Sequence, residues 1–276
     1  MGYKTSIPYV DSSWNFLRGC TRKSPGCRHC YAERVSARFA APGEPYEGLA
    51  EWHHGEPRWT GKLRVIEKHL DDPVRWQKPR ATFVNSMSDT FHELVPIEII
   101  NHAFEVMKAC SRHTFLLFTK RPDRMKAYID TCQNGTIPEN VWVGTTVEDP
   151  ERRYRVDILR EIPAEVRFLS CEPLIADLGT VDLRSIDWVI VGGESGPHAR
   201  PMHPGWVRRI KSQCEDAGVA FYFKQWGEWV PVPQRGRQPN SLSEKSERWL
   251  NLAGTQDLLG DEPRQFRRVN SKVQAN

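Results

Sequence analysis

No apolar run in these 276 residues approaches the roughly 20 needed for a helix to cross a bilayer. The opening stretch, MGYKTSIPYVDSS, lacks the apolar core of an export signal, so the chain is expected in the cytoplasm. Thiols stay reduced there, which turns the seven cysteines away from a disulfide framework and toward ligands or small buried side chains. Charge of one sign is not in large excess: 39 Lys and Arg face 35 Asp and Glu, a net charge of +4. That balance permits a phosphate-bearing or nucleic-acid partner without requiring one. What the chain does have in surplus is tryptophan, ten residues, with Trp52, Trp59, Trp226 and Trp229 in stretches that read as loops.

Three of the cysteines stand together in CTRKSPGCRHCYAE, which runs from Cys20 to Glu33. Cys20, Cys27 and Cys30 are spaced C-x6-C-x2-C on a loop holding Gly19 and Pro25-Gly26. Three thiols are one short of a closed tetrahedral zinc site. They suit an open zinc site that activates water, a 4Fe–4S cluster with one iron left free, or a structural zinc completed by His29 or a distant residue. Spacing alone does not choose among these. Cys110, Cys132, Cys171 and Cys214 are scattered and read as small buried hydrophobes.

Beyond this loop, short apolar runs rich in β-branched and aromatic residues alternate with longer amphipathic stretches. The runs lie at 81–85, 114–118, 141–144, 166–169, 188–191 and 220–223, with an earlier strand expected around Trp14–Leu17. Helices are expected over 96–111, 122–132, 150–161 and 204–217, with Pro96, Pro122, Pro150 and Pro204 at first-turn positions where proline is tolerated. Repeated β-α units imply a parallel sheet. The fold class is therefore α/β, an open doubly wound sheet or a partial or full parallel β/α barrel, and the barrel is favoured. The barrel spans 1–232, with 39–80 an insertion after the cysteine loop and 233–276 a polar C-terminal extension.

Barrel closure is favoured because polar residues recur after nearly every strand, at the end where parallel barrels build active sites. They are Ser86-Met87-Ser88-Asp89, Thr119-Lys120-Arg121, Thr145-Thr146-Val147-Glu148, Ser170-Cys171-Glu172, Gly192-Gly193-Glu194-Ser195 and Lys224-Gln225-Trp226. Alternation puts Phe168, Ser170 and Glu172 on one face of the fifth strand and Cys171 on the other. Lys120, Arg121, Glu172, Glu194 and Lys224 would ring the mouth, either pairing with one another or binding a zwitterionic or phosphate-bearing substrate.

A three-cysteine loop after the first strand of such a barrel resembles the radical S-adenosylmethionine (SAM) superfamily, whose usual spacing is C-x3-C-x2-C. The longer first gap resembles a phage-encoded branch. Its shared motifs stand here as Trp14-Asn15-Phe16-Leu17-Arg18-Gly19-Cys20, Ser24-Pro25-Gly26-Cys27-Arg28-His29-Cys30-Tyr31-Ala32, Ser86-Met87-Ser88-Asp89, Thr119-Lys120-Arg121-Pro122 and Ser170-Cys171-Glu172-Pro173-Leu174. The resemblance implies a 4Fe–4S cluster on Cys20, Cys27 and Cys30, and SAM cleaved to a 5′-deoxyadenosyl radical. It implies a SAM site from Ser86, Ser88, Asp89, Thr145, Thr146, Glu148, Ser170, Gly192 and Gly193, with Lys120, Glu172, Glu194 and Lys224 as catalytic groups. It also implies a reductant such as flavodoxin or ferredoxin, and DNA as substrate. The reaction expected is isomerisation of an amino-acid-modified thymine in phage DNA, with Trp226 and Trp229 stacking on a base. The alternatives are radical chemistry on a peptide or small metabolite, and a non-catalytic, zinc-stabilised nucleic-acid-binding protein.

Overall fold

The computed structural model describes residues 3–5 and 7–232, and a strand at Gln265–Arg268. Seven parallel strands follow one another in sequence and in space: β1 (Ser12–Trp14), β2 (Ala81–Val84), β3 (Thr114–Thr119), β4 (Val141–Thr146), β5 (Arg167–Cys171), β6 (Trp188–Gly192) and β7 (Ala220–Gln225). Each is hydrogen-bonded to the next in parallel register. Among the described residues no pairing joins β7 back to β1, so the sheet is a partial β/α barrel. Tyr3–Lys4 pairs antiparallel with β1 and covers that edge.

Among the described residues five α-helices accompany the sheet: α1 (Tyr31–Arg38), α2 (Ile97–Ala109), α3 (Pro122–Cys132), α4 (Tyr154–Arg160) and α5 (Pro204–Ala217). Pro122 and Pro204 open their helices as the sequence predicts. Pro96 stands one residue earlier, as a cap, and Pro150 begins a separate 3-10 turn, Pro150–Arg152. The expected strand at Trp14–Leu17 divides in two, β1 and a short Leu17–Arg18 that leaves the sheet to pair with Arg64–Val65. Within the insertion, Ala50–His53 and Glu56–Trp59 form a hairpin across His54-Gly55. Both turn residues have positive φ (49° and 78°), the backbone that a two-residue hairpin turn requires. Between β5 and β6 there is no helix, and the loop instead buries Leu174, Leu178, Leu183 and Ile186.

Alternation along the strands sorts the core into two layers. Leu117, Val143, Leu169, Val189 and Val191 point outward against the helices. Phe83, Leu116, Phe168 and Ile190 point inward, where Val10 joins them and Tyr9, Trp142, Trp188 and Tyr222 pack alongside. The concave face is thus filled by rings at the N-terminal ends of the strands, each buried large side chain stabilising by about 1.5–3 kcal/mol. This leaves the polar strand ends free to form a mouth at the other side. Cys171 is 1% exposed in the outer layer, as the parity of β5 predicts, and Cys110 and Cys214 are buried as well. Cys132 is exposed, since it ends α3 on the solvent side. No described helix is long and apolar enough to cross a membrane. Of the expected C-terminal extension, only Gln265–Arg268 is described, pairing antiparallel with Trp229–Val232, and the rest of 233–276 lies outside the described residues.

Candidate active site

The cysteine loop leaves Leu17–Arg18 through Gly19, whose φ of +91° suits glycine. A Cβ there would come within 2.2 Å of the Lys62 carbonyl oxygen. A 3-10 turn at Pro25–Cys27 then carries the chain to Cys30, which caps α1. Cys20, Cys27 and Cys30 are free, partly buried and within electrostatic reach of one another. Cys27 Sγ accepts the Lys23 N–H at 3.5 Å. Burial pushes the Cys20 thiol up, and the Asp89 carboxylate adds to the effect. Burial also pushes Cys30 up, opposed by the N–H groups of Glu33 and Ala32 at the start of α1 and by the Lys120 ammonium. Among the described residues no group of three or more His, Cys, Asp or Glu side chains is gathered as a preformed metal-ion site. The trio is an open set of soft donors with N–H groups and a cation beside it. That donor chemistry fits an iron–sulfur cluster, whose ligands are thiolates that lose their protons on binding.

The loop after β2 is tied to the start of the cysteine loop. Asn85, with φ +55°, accepts the N–H groups of Phe16 and Leu17 through Oδ1, both at 3.2 Å. Ser86 Oγ donates to Asn15 Oδ1 at 3.2 Å, and Ser88 Oγ donates to the Gly19 carbonyl at 2.7 Å. Tyr31 donates to the Ser86 carbonyl at 2.5 Å. Both oxygens of buried Asp89 are engaged, by Thr119 Oγ1 (2.6 Å), Phe91 N–H (2.9 Å), Lys120 N–H (3.3 Å) and Arg121 Nη1 (2.9 Å). Arg121, 3% exposed, is also committed to Glu93 and Thr21, so it frames the loops and does not stand in the mouth as the sequence suggested. The Lys120 ammonium is different, with no hydrogen-bond or ion-pair partner among the described residues.

At the next strand ends the side chains divide by face. Thr146 follows the inward parity of Trp142, while Thr145 is on the outer parity and donates to the Thr119 carbonyl at 2.9 Å. Glu148, fully buried, pairs with Arg155 of α4 at 3.0 Å, and its Oε1 has no hydrogen-bond partner among the described residues. A Cβ on Gly26 would lie 3.2 Å from that Oε1, so the cysteine turn seats directly on Glu148.

At the far side Lys224 Nζ is 2.6 Å from Glu172 Oε1. Glu172 Oε2 accepts from Tyr9 at 3.2 Å and Ser170 Oγ at 3.3 Å. Lys224 also lies over the Tyr9 ring, 5.6 Å from its centroid. Burial first, then the Glu172 charge, pushes the Tyr9 phenol well up, so it remains a protonated donor. Gly192 makes room for this group, since a Cβ there would meet Glu172 Oε1 at 2.9 Å. The adjoining Gly193 approaches the Trp226 carbonyl so closely that no side chain fits. Glu194 is closed by Arg200, whose guanidinium also donates to the Pro25 carbonyl at 3.0 Å and so braces the cysteine turn. Trp226 is 2% exposed and packs on Phe223 at 4.8 Å, and Trp229 Nε1 donates to the Ala199 carbonyl. The sequence expectation that Trp226 stacks on a base is corrected: that indole belongs to the core.

A family model described as "Protein of unknown function (DUF5131)" matches residues 4–258. The chain belongs to this family. No curated protein matches. Among solved structures, this DUF5131 chain is similar to "Spore photoproduct lyase complexed with dinucleoside spore photoproduct", with 12% sequence identity and a TM-score of 0.43. The similarity covers 77% of this chain and 63% of that one, so this chain spans less than two thirds of its length.

Four participants escaped the sequence reading. Tyr9 is 163 positions from Glu172, and nothing local marks it. Arg200 lies in a loop without periodicity. Asn85 reads as the end of a strand. Arg155 alone had a signal, a cation in the first turn of a helix that starts beside Glu148.

Proposed function

We propose that this DUF5131 chain is a radical SAM enzyme that isomerises an amino-acid-substituted thymine in phage DNA. The observation that carries the reading is the pairing of two features in one mouth. A three-thiol loop follows the first strand of a partial parallel barrel, and a Lys224–Glu172–Tyr9 group stands at its last strands. Cys20, Cys27 and Cys30 would hold a 4Fe–4S cluster, and Ser86, Ser88, Thr146, Ser170 and the Gly192-Gly193 backbone would line the SAM site. When bound, cluster and SAM supply hydrogen-atom abstraction from an unactivated carbon.

The chain's own residues orient and hold charge. Asp89 fixes the loop of Ser86 and Ser88 through Thr119 and Arg121. Glu148 supports the cysteine turn from beneath, as Arg200 does from the side. Lys224 and Glu172 offer a cation and an anion that an amino-acid substituent matches with its carboxylate and ammonium. Lys120 adds an uncommitted cation beside Cys30. Tyr9 keeps its proton and holds Glu172 in place.

The test is anaerobic reconstitution, then incubation of the reduced, SAM-loaded protein with DNA bearing the adduct, and digestion to nucleosides. A new isomer of equal mass, absent without SAM, is the expected result. One tight zinc per chain in place of about four irons would overturn the cluster. 5′-Deoxyadenosine formed with peptides but never with DNA would overturn the substrate.

A further inference from the structure

Helix α1 buries Ala32, Glu33, Ser36 and Ala37 against the body and turns Tyr31, Arg34, Val35 and Arg38 the other way. The outward face begins at the mouth, where Tyr31 reaches the Ser86 carbonyl, and ends at Phe39. Trp52 of the insertion hairpin lies over that far end and donates to the Ala37 carbonyl at 3.1 Å. Three aromatic rings on this stripe are about half exposed: Tyr31 (52%), Phe39 (48%) and Trp52 (51%). Among the described residues Arg28, Arg34 and Arg38 have no carboxylate partner. The other cations of this region are differently placed, Arg22 with Glu33 and Arg58 with Glu56. Arg34 Nη2 donates only to the Pro197 carbonyl, at 3.4 Å. Guanidiniums without a carboxylate partner, interspersed with open rings, match a chain that carries phosphates and bases.

We propose that the outer face of α1, with Trp52, is a docking track for a single DNA strand leading to the barrel mouth. Arg34 and Arg38 on the helix and exposed Arg28 in the turn before it take phosphates, and Phe39 and Trp52 take base faces. The seven steps of helix from Tyr31 to Arg38 rise roughly 10 Å, the axial rise of about three phosphates on one strand. A cation track of this kind adds affinity without reading sequence, because phosphates carry none. The choice of DNA rests on the function proposed above, while the track itself does not need the cluster.

The test is fluorescence anisotropy of the full chain, without reconstitution, against a labelled single-stranded oligodeoxynucleotide over a range of salt. Wild type should bind with a clear salt slope. Arg28→Ala and Arg38→Ala should each lower that slope by about one phosphate contact. Trp52→Ala should weaken binding on the order of 5- to 150-fold, and Trp52→Phe should restore most of it. Circular dichroism confirms that each variant is folded. The track is refuted if wild type does not bind, if the three Ala variants bind as wild type does, or if a blunt duplex binds as tightly with no dependence on Trp52. Track binding with no isomer formed would refute the enzyme reading alone. An isomer formed by variants that bind normally would refute the track alone.

Discussion

Arg155 and Glu148 are 1% and 0% exposed and meet at 3.0 Å, which makes them the most deeply buried ion pair among the described residues. At an effective dielectric near 20 their attraction is about 5 kcal/mol, and the cost of taking both charges out of water offsets most of it. Breaking the pair from one side is a different matter. Arg155→Met leaves the Glu148 carboxylate under Gly26 with neither oxygen bonded, and removes the donor to the Thr146 carbonyl. The expected loss is about 3–5 kcal/mol, a large share of the roughly 5–15 kcal/mol that holds a domain folded. Glu148→Met leaves the guanidinium uncompensated and should lose a similar amount. The double variant Glu148→Met/Arg155→Met removes both charges in side chains of similar reach, and should return to within about 2 kcal/mol of wild type. Urea unfolding of the four proteins, with equal m-values, gives the cycle. A double variant that loses the sum of the two singles would refute the buried-pair reasoning. So would singles that stay within about 1 kcal/mol of wild type.

Cys20→Ala, Cys27→Ala and Cys30→Ala should each fail to load iron after anaerobic reconstitution, while Cys171→Ala, in the outer core, should load normally; iron and sulfide analysis decides it. Gly193→Ala should destabilise or misfold the β6–β7 corner, since the Trp226 carbonyl occupies the space of any Cβ, and thermal unfolding will show it. His113 is buried between the rings of Trp76 and Phe115, and burial first, then Arg112, holds its imidazole below 6.5. The unfolded chain takes a proton near pH 6.5 that the folded chain resists. Stability is therefore fully present above that pH and declines as pH falls below it; His113→Gln should flatten that part of a stability–pH curve. Lys224→Met, which leaves Glu172 without its cation, should abolish isomer formation while leaving iron content unchanged.

The parallel units were legible because each strand is an apolar run and each helix an amphipathic one, and because Pro122 and Pro204 mark helix starts. Parity along β5 was enough to send Cys171 outward and Ser170 inward. Helix α1 is missing from the sequence expectation, although Ala32, Glu33, Ser36 and Ala37 form a buried stripe at helical spacing. The expectation for Trp226 fails for a physical reason. A residue just past a strand end is exposed only if its neighbours leave it so, and Gly193 and Gly227 let the backbone close over it. Spacing alone puts Arg121 among the mouth charges; its partners Asp89 and Glu93 come from the loop after β2 and Thr21 from the cysteine loop.

Spacing can place a charge at a strand end, but only tertiary contacts show whether that charge is already spent. Asp89 and Glu194 accept from Arg121 and Arg200 and from loop N–H and hydroxyl groups, and the two guanidiniums are further engaged by Glu93, Thr21 and the Pro25 carbonyl. Their removal should loosen the loops that present the thiols and serines before it touches a ligand. Lys224, Glu172 and Tyr9 are linked to one another by side-chain contacts, and the Lys120 ammonium has no hydrogen-bond or ion-pair partner among the described residues. A site that works on a charged substrate needs both kinds. The first set makes the frame stiff, and the second can trade its partners without leaving a buried charge alone. This division follows the barrel. The framing pairs lie behind the loops after β2, β3 and β6, and the exchangeable group stands on the concave side at β5 and β7, above the aromatic floor of Tyr9, Trp188 and Tyr222.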